Sequence, residues 1–158
     1  MKKISSVFKN NHEYILRPFA LVNHEHTEYL QKDVASNSAN GSIDFQIAAG
    51  ENISALKVLA SNGAGAAIFA DKDTTGHEFS LLGISTTAGL TGEQIFIRRS
   101  GLLKDAGAWS WNVNSPIYLG SAGVLTQTVP TSGFTAILGW PTDVDTIFIN
   151  IDRTITLL

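Results

Sequence analysis

The sequence predicts an all-β protein of two small tandem β-barrel or β-sandwich-like units, preceded by an extended N-terminal arm. Three observations predict it. From residue 43 onward, short apolar runs rich in Ile, Val, Phe and Thr alternate with Gly, Asn, Asp, Ser and Pro, the punctuation of strands and turns. Within runs the apolar positions recur with period two, as in Ile43, Phe45 and Ile47 around Asp44 and Gln46, or Ile95 and Ile97 around Phe96 and Arg98. That is the mark of a half-buried strand. The order of the runs also occurs twice, which points to a duplicated unit.

Residues 1–42 come first and differ from the rest. They are polar, rich in Asn, His and Glu, and end in Ser36-Asn37-Ser38-Ala39-Asn40-Gly41-Ser42, a composition that behaves as a flexible linker. The segment nevertheless holds apolar residues, among them Tyr14, Ile15, Leu16, Phe19 and Leu21, too many for a purely solvating tail. An arm that orders against something else accounts for both properties.

The first unit is expected over residues 43–106, with strands at 43–47, Leu56–Ala60, Ala66–Ala70, Glu78–Ile84 and 93–98. The second is expected over 107–158, with strands at Pro116–Leu119, Val124–Val129, Thr135–Trp140, Thr146–Ile151 and Thr154–Leu157. In the repeat, Leu56-Lys57-Val58-Leu59 answers to Ile117-Tyr118-Leu119, and Ala66–Ala70 to Val124–Thr128. Ser80–Ile84 answers to Ala136–Trp140, and Glu93–Arg98 to Asp145–Asn150. A copy of roughly 50 residues buries little surface alone, so the copies are expected to pack together or to oligomerise.

Composition narrows the function. The 158 residues include no cysteine, so neither disulfides nor thiolate metal sites hold the fold. The net charge is −3 and beyond Lys2-Lys3 the only adjacent basic pair is Arg98-Arg99, which argues against nucleic acid as a partner. No apolar run approaches the ~18 residues that span a bilayer, so no membrane insertion is expected. Lys9, Asn10, Asn11 and His12 interrupt the apolar stretch behind Met1-Lys2-Lys3, so an export signal is not expected and assembly in the cytoplasm is. Residues 107–158 carry only Asp143, Asp145, Asp152 and Arg153 as charges. So uncharged a surface is expected to be covered by other copies of the chain.

The chemical motifs are weak. His24-Glu25-His26, with Glu28 and His12, could present two imidazoles on one strand face, but a flexible arm lacks the frame that zinc requires. Asp71-Lys72-Asp73-Thr74-Thr75-Gly76 begins like a calcium loop, yet its twelfth position is Leu82 rather than Glu, so a hairpin turn is expected instead. Gly63-Ala64-Gly65-Ala66-Ala67-Ile68 lacks the third glycine of a dinucleotide fingerprint and has no room for the following helix. There is no nucleophile elbow, and His77 is the only histidine beyond the arm. Asp143 and Asp145 flank Val144 and read as turn residues rather than as a glycosidase pair. Trp109, Trp111 and Trp140 suit either a sugar-stacking platform or, in preference, packing at the junction of the two units. No catalytic residue, cofactor or metal is expected.

One stretch resembles a known family. Leu56-Lys57-Val58-Leu59-Ala60, the turn Gly63–Ala67, then Leu82-Gly83-Ile84-Ser85-Thr86-Thr87-Ala88-Gly89-Leu90-Thr91-Gly92-Glu93-Gln94-Ile95-Phe96-Ile97 and Arg98-Arg99-Ser100-Gly101 resemble the head-decoration, capsid-stabilising proteins of lambda-type phages. In the second copy, Pro116–Gly120 and Gly123–Pro130 are similar to segments that recur in phage head and tail structural proteins. Together these cover about 100 residues. The resemblance implies a homotrimer on the outer surface of the phage head, bound to the major capsid protein, with its arm clamping adjacent capsomers by adding to a capsid sheet. On that basis Tyr14, Ile15, Leu16, Phe19 and Leu21 are the expected capsid-binding residues. Tyr118, Leu125, Ile137, Trp140 and Phe148 are the expected trimer contacts. The second copy departs from a single-unit decoration protein. The competing expectation is a receptor- or carbohydrate-binding domain of a tail fibre or spike.

Overall fold

A computed structural model of the chain describes residues 41–151 and 154–156; the expected arm residues Tyr14, Ile15, Leu16, Phe19 and Leu21, and the His24–His26 cluster, lie outside them. The described chain is β-rich, as its alternating runs require. The strands are β1 Ile43–Ala49, β2 Val58–Ser61, β3 Ala66–Phe69, β4 Leu81–Ser85 and β5 Gln94–Lys104, followed by β6 Ile117–Leu119, β7 Leu125–Thr126, β8 Phe134–Asp143, β9 Thr146–Asn150 and β10 Thr154–Thr156. One helical turn, α1, spans His77–Ser80. The strand expected from Glu78 therefore begins only at Leu81. The Glu78 carboxylate accepts the Gly76 N–H at 2.6 Å and the Ser80 hydroxyl donates to the Gly76 carbonyl at 3.1 Å; such local side-chain bonds draw the backbone out of the ladder.

The strands join in the order β1-β3-β2-β4-β5-β9-β8-β6-β7, with β10 on β8 and a further pairing of β1 with β5. That last pairing closes the first five strands into a barrel. β1 runs parallel to β3 through Ala48↔Ala66 and antiparallel to β5 through Phe45↔Ile97 and Ile47↔Ile95. Leu59, Ala67, Ile95 and Ile97 are 0 % exposed and fill the barrel together with Ala49 and Ile53.

The duplication is visible in the ladders. In the first half Leu59 pairs with Gly83 but Ala60 with Leu81, leaving Leu82 as an extra residue. In the second half Ile117 pairs with Gly139 but Tyr118 with Ile137, leaving Leu138. Each is a β-bulge at the same place in the copy. The turns match as well: Asn62 N–H donates to Ala66 O at 3.0 Å, and Gly120 N–H to Val124 O at 2.8 Å. The first run departs from the sequence alignment, since Ile117 and Tyr118 answer to Leu59 and Ala60 and Leu119 therefore lies beyond Leu56–Leu59, and the last strand departs by two residues. Ile84↔Arg98 and Ser85↔Ile97 correspond to Trp140↔Phe148 and Pro141↔Ile147, so Arg98 answers to Phe148 rather than Asn150. A shift of two keeps every side chain on its face, so an alternating pattern cannot reveal it.

β5 belongs to both halves. Its first part pairs with β1 and β4, and Ser100–Lys104 pair with β9. The strand expected over 93–98 therefore runs on to Lys104. At the changeover Gly101 has φ 111°, and a Cβ there would lie 2.6 Å from Ser42 Cα, so only glycine fits.

The described residues belong to one compact unit. The inward side chains of the second half, including Leu119, Leu138, Ile147 and Ile149, pack on the outward side chains Val58, Ala60, Leu81 and Ile84 of the first barrel, and the resulting core takes in Leu103, Phe134 and Ala136. The 106/107 boundary lies in the turn after β5, and this core draws on both sides of it. Where β1 crosses to β3 in the first half, the connector after β5 crosses in the second: Trp111 N–H donates to Val144 O at 2.7 Å, and Gln127 bonds the backbone of Asn112 at 2.9 and 2.7 Å.

Candidate functional site

The bulges set which side chains of the second half face outward. Inside, Phe134, Ala136 and Leu138 alternate along β8 until the bulge reverses the parity, so that Pro141 turns in and Trp140 turns out. On β9 Ile147 and Ile149 turn in and Phe148 turns out. On β5 Gly101 and Leu103 turn in and Leu102 turns out. Phe148 is the register partner of both Trp140 and Leu102, so the three form one row across adjacent strands. They are 51 %, 41 % and 38 % exposed for Trp140, Phe148 and Leu102. A second row, Tyr118 opposite Ile137, continues the face on the other side of the bulge and is half-buried.

Four of the five expected trimer contacts, Tyr118, Ile137, Trp140 and Phe148, therefore share one sheet face. Leu125 does not. It packs against the core beneath that face, because the pairing Leu119↔Leu125 places it on the inward side with the buried Leu119. Leu102 was not foreseen, since Ser100-Gly101 reads as the end of a strand; the alternation of Leu102 and Lys104 with Leu103 was the available signal.

No protein-family model and no curated protein matches the chain.

The other motifs have structural explanations in the fold. Trp109 and Trp111 lie with ring centroids 5.6 Å apart and both pack on the larger core, which is the junction role; Trp140 is the exposed one. Both Asp71 carboxylate oxygens accept backbone N–H groups, from Asp73 and Ala122, at 2.9 Å each. Lys72 Nζ donates to both oxygens of Asp73 at 2.8 and 2.7 Å and to Ser132 Oγ at 2.8 Å, while the Ser132 hydroxyl donates to Asp73 at 2.9 Å. The calcium-like segment is thus a latch between the β3–α1 loop and the β7–β8 loop. The Lys72 bond, followed by that of Ser132, holds the Asp73 carboxyl below the usual carboxylate range.

Asp145 is also held low, first by the Thr146 hydroxyl and then by Lys104, 3.1 Å away. Arg98 grips Asp44 through two bonds of 2.8 and 2.7 Å, and this raises its pKa. Arg99 donates to the carbonyls of Leu81 and Leu82 at 2.8 and 3.1 Å. The basic pair is thus engaged within the fold. Among the described residues no group of three His, Cys, Asp or Glu is placed to hold a metal, and no helix is long and apolar enough to cross a membrane.

Proposed function

We propose that this protein works by contact rather than catalysis, as a decoration protein of a phage capsid. It sits on the outer surface of the head as a homotrimer, binds the major capsid protein and clamps adjacent capsomers. The observation that carries this reading is the row of Trp140, Phe148 and Leu102 exposed on a sheet face, two of the three from residues 107–158, which hold only four charged residues. Exposed contiguous apolar surface of this kind marks a protein contact. The resemblance of residues 56–101 to head-decoration proteins supplies the kind of partner. The arm, with Tyr14, Ile15, Leu16, Phe19 and Leu21, is assigned to the capsid, and the second half to contact between copies.

Co-sedimentation with heads stripped of the protein tests the proposal. The full chain is expected to saturate at hundreds of copies per head, and a chain lacking residues 1–41 to stay folded but fail to bind. Each anchor seated in a pocket contributes about 1–3 kcal/mol, so losing five weakens attachment by several orders of magnitude. Saturation by the truncated chain at full affinity would move attachment to residues 43–106. The exposed indole of Trp140 favours a second reading, a receptor- or carbohydrate-binding domain of a tail appendage. A count of a few to a few dozen copies per particle would select it.

A further inference from the structure

The duplication allows one half of the molecule to be read as a template for the other. In the first half the outward positions are Val58, Ala60, Leu81 and Ile84, exposed by 0, 0, 8 and 0 %. They are sealed because the second half of the same chain lies on them. By the paired bulges, Ala60, Leu81 and Ile84 correspond to Tyr118, Ile137 and Trp140. Among the described residues no third unit lies on these, and their surroundings in the ladder add Phe148 and Leu102. The same fold position that is a sealed interface in one copy is an open apolar face in the other.

From this equivalence we infer that the face formed by Leu102, Tyr118, Ile137, Trp140 and Phe148 is the surface through which copies of this chain meet. Its charge character selects the occupant. Register neighbours on the face are Thr126, Thr146 and Asn150; two internally neutral ion pairs border it, Lys104 with Asp145 and Arg98 with Asp44, and Asp143 opposite Thr146 adds one carboxylate at its edge. A face whose centre is uncharged and whose rim is nearly balanced offers little steering to a charged partner, and it meets its own copy with little like-charge repulsion. The surface already known to accept a cover at this fold position accepts it from this chain's own β units. The cyclic arrangement proposed above then brings the aromatic rows together about the symmetry axis.

The inference rests on the assembly reading and deepens it by naming the contact. It is tested on the full chain by light scattering and by cross-linking. The wild type is expected at the mass of a trimer, and Trp140→Glu with Phe148→Lys at that of the 16.9 kDa chain, with an unchanged circular dichroism spectrum. Phe79→Ser, at an 87 % exposed position off this face, is expected to remain a trimer. Because the chain has no cysteine, Thr146→Cys provides a second measurement that disrupts no apolar contact: a short thiol cross-linker should join copies of it and should not join copies of Phe79→Cys. A double variant that stays trimeric, or a Thr146→Cys protein that fails to cross-link while trimeric, overturns the face. A wild type that binds heads as a monomer overturns the face but leaves decoration standing. Saturable quenching of Trp140 fluorescence by simple saccharides, with a monomeric wild type, would assign the face to carbohydrate instead.

Discussion

Gly83 and Gly139 hold equivalent places at the two bulges, and a Cβ on either would run into a carbonyl oxygen, that of Arg98 or of Phe148 respectively. The ladder can close only because the side chain is missing. Gly83→Ala and Gly139→Ala are each expected to cost about 1–3 kcal/mol, the usual penalty of forced overpacking. Gly63→Ala, where φ is 76° but nothing lies within 4 Å, should cost only the left-handed backbone term of about 1–2 kcal/mol. Urea unfolding of the three variants checks the order.

The carboxylates of Asp73 and Asp145 add a pH dependence of fixed sign. Both are held below their ordinary value by hydrogen-bond donors. Their contribution is therefore complete above the unfolded value of about 4 and is lost as the pH falls through the lowered folded values. Melting temperature should stay level from pH 7 to 5 and then fall. The pair Asp73→Asn and Asp145→Asn should flatten that fall; an unchanged slope would show that other carboxylates carry it.

Strands β8 and β9 separate packing from display residue by residue. Ile147 is 0 % exposed and its neighbour Phe148 is 41 % exposed. Ile147→Ala is expected to cost about 2–5 kcal/mol in denaturant unfolding, as a cavity in a sealed core does. Phe148→Ala should cost much less in the monomer although it removes a larger side chain. If the two variants lose equal stability under conditions that dissociate the oligomer, the assigned faces are wrong. Ser85 shows the same economy in the first half: it is 0 % exposed, donates to Ser54 O at 2.8 Å and accepts from Lys57 N–H at 3.0 Å, so no hydroxyl is stranded.

At the scale of the molecule, the shared strand β5 and the common core make the two halves interdependent. Residues 42–158 should unfold in a single transition when followed by fluorescence and by circular dichroism. A fragment of residues 107–158 should not fold alone, because the wall on which Leu138, Ile147 and Ile149 pack is supplied by Val58, Ala60 and Ile84. A cooperative melt of that fragment would show an independent unit.

The all-β class, most of the strands and the existence of the repeat were legible in the sequence, because period two and Gly-rich turns are local properties written in neighbouring residues. Tyr118, Ile137, Trp140 and Phe148 were named only as contacts that the resemblance implies, and that they share one face with Leu102 depends on the strand register. Closure of the first barrel by β1, the continuation of β5 past Gly101 and the inward turn of Leu125 were decided only by the tertiary structure. Each depends on which strand lies beside which, and an alternating pattern fixes the two faces of a strand without naming its neighbours. The two-residue shift in the last repeat has the same origin, since either register buries isoleucines. Only the carbonyls of Arg98 and Phe148, pressed against glycines from far along the chain, select one.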